Sequence, residues 1–368
     1  MSAAARDGGT AHFVCLDGMR GVAALAVLSA HAAMLFTHTP RHYYLAVDFF
    51  FMLSGFVLAH AYQGKLDGGL SPAAFLRLRL ARIYPLYALA IVLGFAHALC
   101  APHSEEAAPL ASQAGRLLAG LAMLPAPGLS SVRWLFPLDI PAWSLLFELL
   151  GNLVFALLYA PLRRSPAALG MAIVVSGAAL LGCGLAFGHF DIGATSDDAI
   201  AALPRVLFSF LLGVALYRLW QRHPLHRAVP WWPLLLLLAA ALFLHLPGEH
   251  ADLLLQFGLI AILFPLLLYA GAAVRPGARA AQVFGWLGTA SYGVYVLHEP
   301  VFFMLRDAAL RYGHPLSAWA PWSGAAYVLA LTALCLLLDR VYDRPLRRWL
   351  QPRRTAAPAA AKPLPEAA

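Results

Sequence analysis

The sequence predicts an all-α, polytopic integral membrane protein, a helical bundle of about ten transmembrane helices with both termini in the cytoplasm. Two observations carry this prediction. Of the 368 residues, 61% are hydrophobic and only 12% are charged, and the mean hydropathy is +0.71. A soluble domain cannot bury so large an apolar fraction, whereas successive apolar runs of about 20 residues fit a bilayer. The second observation is that basic residues fall in alternate loops.

Ten apolar stretches are predicted to cross the membrane. They cover approximately residues 14–36, 43–62, 82–101, 141–160, 167–187, 203–220, 231–247, 252–272, 284–306 and 319–341. The segment from Gly115 to Leu124 is too short to span a bilayer. We therefore expect it to lie at an interface or to re-enter the bundle.

The formal net charge of +8 could suggest nucleic-acid binding, but the charges are distributed by side of the membrane. Loops after even-numbered spans and the C-terminal tail hold basic residues: Lys65, Arg77, Arg79, Arg163, Arg164, Arg222, Arg227, Arg275, Arg279, Arg344, Arg347, Arg348, Arg353 and Arg354. Loops after odd-numbered spans hold most of the loop acids: Glu105, Glu106, Asp191, Asp197, Asp198, Glu249 and Asp252. By the positive-inside rule, both termini are cytoplasmic, which agrees with an even number of spans.

One membrane domain, residues 13–345, is predicted to account for most of the chain. Residues 1–12 are predicted to form a cytoplasmic N-terminal tail, and residues 346–368 a cytoplasmic tail rich in Arg, Ala and Pro that is disordered at its end. The four cysteines lack metal-like spacing and are interpreted as small apolar residues. The sequence shows no internal repeat, and we expect no appended soluble domain.

The first span places a cation and a titratable imidazole on one helix face. Arg20 and His31 are eleven positions apart, which returns to nearly the same face of an α-helix about 16 Å farther along. Polar side chains within spans are costly and usually have a functional reason. The alternative is that Arg20 reaches an interface and His31 is a hydrogen-bonded core residue.

The second span and the loop after it contribute three more candidates. Asp48 lies in the outer part of its span, whereas Ser54 and Gly55 favour close helix packing. Arg79 and Arg82 are an i, i+3 pair on one helix face. Their alternative interpretation is the ordinary positive charge of a cytoplasmic loop.

The fourth and ninth spans contribute the remaining candidates. Glu148 is predicted to lie roughly 10 Å below the outer boundary, about seven residues into a span that begins outside. For Trp143, beside Ser144, a place in an aromatic belt at the membrane surface is the slightly favoured interpretation. In the ninth span, His298 falls in the outer half, with Tyr292 and Tyr295 below it.

Taken in order, these stretches resemble the acyltransferase family 3 integral membrane proteins over about residues 13–345. LDGMRG followed by His31 is similar to the family's first motif, and VDFFFMLSGF to its second-span motif. RLARIYP matches R-x-x-R with its proline, SYGVYVLHEP matches S-Y-x-x-Y-x-x-H-x-P, and Asp343–Pro345 is similar to a terminal acidic-x-P. The fourth span departs from W-S-L-x-x-E-E-Q-F, because Leu149 and Leu150 replace the second acid and the glutamine.

The resemblance implies an acyltransferase that moves an acyl group, often acetyl from acetyl-CoA, to a carbohydrate hydroxyl or another acceptor. It favours a base for the hydroxyl proton, a carboxylate to orient that base, and arginines for the phosphates of the donor. The predicted catalytic residues, all in an outer layer, are His31, Asp48, Glu148 and His298. The predicted substrate-binding residues are Arg20, Arg79, Arg82, Trp143, Ser144, Tyr292 and Tyr295, with the three arginines in an inner layer.

The functional hypothesis is a multi-pass enzyme of the bacterial inner membrane, with His31 as general base or transient acyl carrier. Acyl-CoA is expected as co-substrate, without a tightly bound cofactor or metal, and the expected partners are membrane lipids and a carbohydrate or glycolipid acceptor, not nucleic acid. A small-molecule or lipid acceptor is an alternative. So are a proton-coupled transporter and, less favoured, a metal site built from two histidines and two acids.

Overall fold

A computed structural model describes residues 13–100, 108–225 and 229–350. Within these residues, the chain forms no β-strand and consists almost entirely of helices. The helices are α1 Val14–His31, α2 Leu45–Asp67, α3 Pro72–Cys100, α4 Leu110–Leu121, α5 Ala142–Leu157, α6 Tyr159–Arg164, α7 Pro166–Phe187, α8 Ala199–Arg222, α9 Trp231–Phe243, α10 Glu249–Gly258, α11 Phe264–Ala273, α12 Ala278–Arg311, α13 Trp322–Leu338 and α14 Arg344–Leu350. The predicted N-terminal tail, 1–12, and residues 351–368 of the predicted C-terminal tail lie outside the described residues, whereas residues 346–350 of that tail belong to helix α14.

The prediction of an all-α polytopic membrane protein is confirmed. A helix lies at each of the ten predicted spans, and seven continuous helical segments are long and apolar enough to cross a bilayer. One of these seven joins α10 to α11, and another joins α13 to α14, each through one π-helical segment, Leu259–Leu263 and Asp339–Asp343. Two further apolar helices, α5 and α9, are shorter.

Several helices begin or end outside the apolar run that predicted them. α3 begins ten positions before its predicted span, so that Arg79 and Arg82 belong to the same helix as the apolar residues that follow. α12 runs for 34 residues and contains Pro300. The segment predicted to be too short to span forms α4, a helix of 12 residues.

Close packing between α2 and α8 depends on a glycine from each helix. A Cβ atom on Gly55 would lie 2.0 Å from the carbonyl oxygen of Phe210, and one on Gly213 would lie 1.9 Å from that of Met52. Both contacts are to backbone, which cannot rotate away. The two helices therefore approach more closely than any larger residue would allow, as the sequence predicts for Gly55.

The segment before α5 is buried in the bundle although it is not helical. Leu135, Phe136, Leu138 and Asp139 are each less than 9% exposed. Gly94 of α3 makes room for this segment, because a Cβ there would lie 1.9 Å from the carbonyl oxygen of Leu138. As a result, α5 begins inside the protein, which explains its length of only 16 residues.

Candidate active site

An internal cavity of about 200 Å³ lies between α1, α2, α3, α5 and α12. Each helix contributes polar side chains to an otherwise apolar lining, because the sequence places single polar residues within long apolar runs. Most of the predicted site residues meet here. The predicted residues in its lining are Arg20, Arg79, Arg82, Ser144, Glu148, Tyr292 and Tyr295.

Glu148 forms an ion pair with an arginine of the predicted inner layer. Its Oε1 atom lies 3.0 Å from Nη2 of Arg79 and accepts a hydrogen bond of 2.6 Å from the Ser54 hydroxyl. The prediction that Glu148 and Arg79 occupy different layers is therefore wrong. The physical reason is the buried segment before α5, because that helix begins inside the bundle and carries Glu148 to within reach of α3.

The other two arginines of the cavity have unsatisfied donors. Arg20 donates to Asp17 at 3.1 Å and to the backbone carbonyl of Gly288, while its buried Nε has no partner. Arg82 makes no hydrogen bond or ion pair with any residue that the structure describes. Both side chains are thus available to an anion that enters from the α1–α12 side.

The two predicted histidines bind each other. Nδ1 of His31 lies 2.6 Å from Nε2 of His298, and the rings are stacked with centroids 4.9 Å apart. His298 is 1% exposed and His31 is half-buried. This contact joins the last residue of α1 to the interior of α12, 267 positions farther along the chain.

Backbone carbonyls determine which nitrogen of each ring carries a proton. Nδ1 of His298 lies 3.1 Å from the carbonyl of Val294 and 2.8 Å from that of Tyr295. A carbonyl oxygen can only accept, so Nδ1 of His298 is the donor and its Nε2 is the acceptor in the neutral ring. His31 therefore donates through Nδ1. Its Nε2 retains a lone pair and makes no hydrogen bond within the described part of the chain.

Tyr295 separates the histidines from the cavity. It lines the cavity, its hydroxyl lies 2.7 Å from Ser144 Oγ, and its ring centroid is 6.2 Å from that of His298. Phe50 packs against the same tyrosine at 5.4 Å. Tyr292, one turn away, is held by a hydrogen bond to the carbonyl of Ile83 on α3.

Asp48 has a partner that sequence reasoning missed, Arg205 of α8. Both side chains are completely buried, and Arg205 Nη2 lies 2.9 Å from Asp48 Oδ2. Arg205 also donates to the carbonyls of Ile192 and Tyr44, and Ser209 donates to Asp48. The structure thus places Asp48 in an ion pair between two helices instead of on His31. The available signal was an arginine inside the predicted sixth span.

Trp143 belongs to this second group of residues and does not line the cavity. The guanidinium of Arg205 lies 5.5 Å from its ring centroid, and the same ring covers Gly193. The four residues of the metal alternative therefore do not converge, because arginines neutralise Asp48 and Glu148 separately from the histidine pair.

Two buried carboxyl groups, Glu299 and Asp139, lie close to the histidine pair. Glu299 accepts a hydrogen bond of 2.8 Å from the backbone amide of Ile140, and both oxygens of the neighbouring Asp139 lack partners. Burial raises the pKa of the Asp139 carboxyl well above its ordinary range, and the charge of Glu299 raises this pKa further. No sequence pattern marked Asp139 as a candidate.

His42, His245 and Asp252 form a separate cluster whose ligand atoms all lie within 4.8 Å of one another. The Asp252 carboxylate lies 2.9 Å from His42 Nε2 and 3.0 Å from His245 Nδ1. It also accepts hydrogen bonds from the Leu246 amide and the Gln256 side chain. The cluster therefore connects the segment before α2 to the turn between α9 and α10, and these hydrogen bonds explain it as a structural contact.

Sequence comparisons relate most of the chain to known proteins. The profile of a family described as an acyltransferase domain, the acyltransferase 3 family, matches residues 13–340. The chain is 29% identical to acyltransferase MdmB of Streptomyces mycarofaciens, over 94% of each chain. It is 28% identical to the exopolysaccharide production protein ExoZ of Rhizobium meliloti, over 84% of this chain and 92% of that one.

A third relative, protein 2 in the picA locus of Rhizobium radiobacter, is 45% identical over 39% of this chain and 81% of its own length. No solved structure matches the chain significantly.

Proposed function

Because the chain belongs to the acyltransferase 3 family and is an acyltransferase, we propose that it transfers an acetyl group from cytoplasmic acetyl-CoA to a hydroxyl of a carbohydrate. The acceptor is a cell-surface polysaccharide or a glycolipid precursor, and the membrane is the bacterial inner membrane. The relative ExoZ is an exopolysaccharide production protein, which supports the choice of acceptor. The observation that carries the proposed chemistry is the free lone pair on His31.

His31 is the general base of the proposed reaction. Its Nε2 takes the proton of the acceptor hydroxyl while the hydroxyl oxygen attacks the thioester carbonyl. The C–S bond of the resulting tetrahedral adduct then breaks, and the thiolate of CoA takes the proton back from the imidazolium. Protons and charges balance without any further reactant.

His298 is a positioning residue in this scheme. It accepts the Nδ1 proton of His31 at 2.6 Å, and two backbone carbonyls fix its own tautomer. A carboxylate performs the same orienting task in Ser-His-Asp triads. Because neutral histidine replaces a carboxylate, it orients His31 without adding a full negative charge.

His31 can also act as a transient acyl carrier through the same atom. In that version, Nε2 attacks the thioester carbonyl, the C–S bond breaks, and CoA leaves as the thiolate, so that His31 becomes an Nε2-acylimidazolium. The acceptor hydroxyl then attacks the acyl carbon, the C–N bond breaks, and the hydroxyl proton passes to solvent, which protonates the thiolate. This version lets the donor leave before the acceptor arrives. The half-buried position of His31, next to Tyr43 at a ring distance of 5.2 Å, supports entry of the acceptor from the side opposite the arginines.

The test is transfer of label by the purified, full-length protein in liposomes. With acetyl-CoA labelled in the acetyl group, we expect label in the polysaccharide or glycolipid fraction, and mass spectrometry of surface glycans identifies the acceptor. Movement of an acceptor into the vesicles without a covalent product would support a transporter instead. Label recovered only in a lipid or a small molecule would support the alternative acceptors.

A further inference from the structure

A second cavity, of about 450 Å³, lies where α1, α3, α12 and the α14 region meet. We call it the arginine bay. Five arginines line it: Arg20, Arg82, Arg344, Arg347 and Arg348. The last three belong to the segment that the sequence marks only as a basic tail after the tenth span.

Acids neutralise only part of this positive charge. Asp17 pairs with Arg20 at 3.1 Å, and Asp339 lies 2.6 Å from Arg344 and 3.0 Å from Arg347. Asp343, just outside the lining, pairs with Arg347 at 2.5 Å. The five arginines of the bay therefore face three aspartates, and a net positive charge remains.

Two arginines of the bay have no carboxylate of a described residue within ion-pair distance, although Asp343 acts on Arg82 from farther away. Arg82 and Arg348 form no ion pair within the residues that the structure describes. Guanidinium groups bind phosphate oxygens through paired hydrogen bonds. A ligand with several phosphate charges therefore complements the bay.

The bay and the inner cavity share two residues. Arg20 and Arg82 line both spaces, so the cavities meet at these side chains. Beyond them lie the cavity, Tyr295 and the histidine pair. Along α1, Arg20 and His31 are separated by about 16 Å at helical rise, a distance comparable with the reach of an extended pantetheine arm.

We propose that the arginine bay binds the 3′-phospho-ADP portion of acyl-CoA, and that the pantetheine arm passes between Arg20 and Arg82 into the inner cavity. This inference rests on the proposed function, in which acyl-CoA is the donor. It assigns phosphate binding to Arg344, Arg347 and Arg348 together with Arg20 and Arg82. Arg79 is not part of the phosphate site, because Glu148 neutralises it inside the cavity.

The first test compares Arg348→Gln with Arg340→Gln. Arg348 lines the bay and forms no ion pair with a described residue, so its removal breaks no ion pair there. Arg340 is an exposed arginine of the same region that does not line the bay. We expect Arg348→Gln to raise KM for acetyl-CoA about tenfold, with little change in kcat, because one charge-assisted phosphate contact is lost. Arg340→Gln should leave KM unchanged.

A truncated donor shows which part of acetyl-CoA the bay contacts. S-acetylpantetheine carries the thioester without the nucleotide, so wild type and Arg348→Gln should use it equally well. Adenosine 3′,5′-bisphosphate should compete with acetyl-CoA, and the variant should bind it about tenfold more weakly in equilibrium dialysis. Equal KM values for acetyl-CoA, together with equal binding of the bisphosphate, would overturn the inference while acetyl transfer by the wild type still supported the proposed function.

The dialysis measurement does not depend on activity. If the protein transferred no acetyl group but bound adenosine 3′,5′-bisphosphate through Arg348, the proposed reaction would fail and the site would stand.

Phosphate-bearing lipids are a second source of the same chemistry. A defect in Arg348→Gln that appears only in vesicles with anionic lipid, and equally with both donors, would assign the bay to lipid headgroups and overturn the inference.

A steric variant tests the same site without changing charge. Gly285 lines the bay, and a Cβ atom built there meets no other atom within 4 Å. Gly285→Leu should therefore fill part of the bay, raise KM for acetyl-CoA severalfold and leave S-acetylpantetheine unaffected. The control is Gly182→Leu on α7, which also has open space at its Cβ but lies outside the bay.

Discussion

The contact between His31 and His298 determines which nitrogen of each ring carries a proton. The backbone carbonyls behind His298 fix its proton on Nδ1, and this in turn leaves Nε2 of His31 unprotonated. The two rings therefore differ in what they expose, although both are buried or half-buried. In the proposed function, His31 presents the lone pair and His298 orients the His31 ring.

Substitution of either histidine should separate these roles. We expect His31→Ala to lower kcat by about 10²- to 10⁴-fold, because a general base is lost. His298→Ala should cost less, and His298→Gln should recover part of that loss, because the amide oxygen can still accept the His31 proton. Initial rates of acetyl transfer measure these effects in protein that elutes as the wild type does in size-exclusion chromatography. Near-normal turnover by His31→Ala would remove it from the mechanism and make His298 the leading candidate.

Sequence patterns identify both histidines but not their contact, since the residues are 267 positions apart. The same limit applies to Asp48. An acid inside an apolar span suggests a functional role, but a buried counter-ion gives it a structural one. The counter-ion of Asp48 is Arg205, 157 positions away, so the sequence does not reveal the pair. Spacing along one helix predicts shared faces within that helix, and it carries no information about which helix packs opposite.

At the scale of helices, α2 and α8 are joined by both charge and close packing. Asp48 and Arg205 form a fully buried ion pair near one end of the contact, and Gly55 and Gly213 bring the backbones together farther along. The ion pair and the glycine contact support each other. The long arginine side chain reaches Asp48 because the helices are close, and burial of both charges is tolerable because they are paired.

Removal of Asp48 should therefore destabilise the bundle. Asp48→Asn leaves Arg205 buried and charged without its counter-ion, which typically costs about 3–5 kcal/mol. The double variant Asp48→Leu with Arg205→Met removes both charges and should recover most of the thermal stability in detergent. It should also retain acetyl transfer. Loss of transfer by this double variant at wild-type stability would instead support the catalytic role that the sequence predicts for Asp48.

The glycine contact permits a matched comparison on α2. Gly55→Ala should lower the melting temperature, because its Cβ would lie 2.0 Å from a backbone carbonyl and the helices would have to move apart. Gly64→Ala on the same helix meets no atom within 4 Å. Since alanine favours helix by roughly 0.5–1 kcal/mol over glycine, this control should be neutral or stabilising. Equal melting temperatures for the two variants would show that the close contact contributes nothing.

For the whole molecule, the sequence predicts the membrane class, the positions of the ten spans and the arrangement of most polar residues around one cavity. It does not predict depth within the bundle. Counting from an assumed boundary places Glu148 too near the surface, because the buried segment before α5 has no hydropathy signal that distinguishes it from an outer loop. A non-helical segment that enters the bundle can be recognised only from what surrounds it.

The predicted orientation of the bundle can be tested by labelling. In a variant without the native cysteines, His189→Cys, in the turn after α7, should react with a membrane-impermeant thiol reagent added outside intact cells. His223→Cys, after α8, should react only once the cells are opened. The loop charges give this expectation through the positive-inside rule. The reverse pattern would place the arginine bay outside and exclude a cytoplasmic donor.

The ring of Tyr295 has a further consequence for the cell that makes this protein. Polar groups line a path from the arginine bay through the inner cavity to the histidines. Tyr295 lies between the cavity and His298, and it contacts Phe50 and Ser144. A continuous file of water along that path would conduct protons and dissipate the electrochemical gradient across the membrane. In the proposed function, the packing around Tyr295 therefore has a second consequence, because it interrupts the row of polar groups that would otherwise guide water between the bay and the histidines.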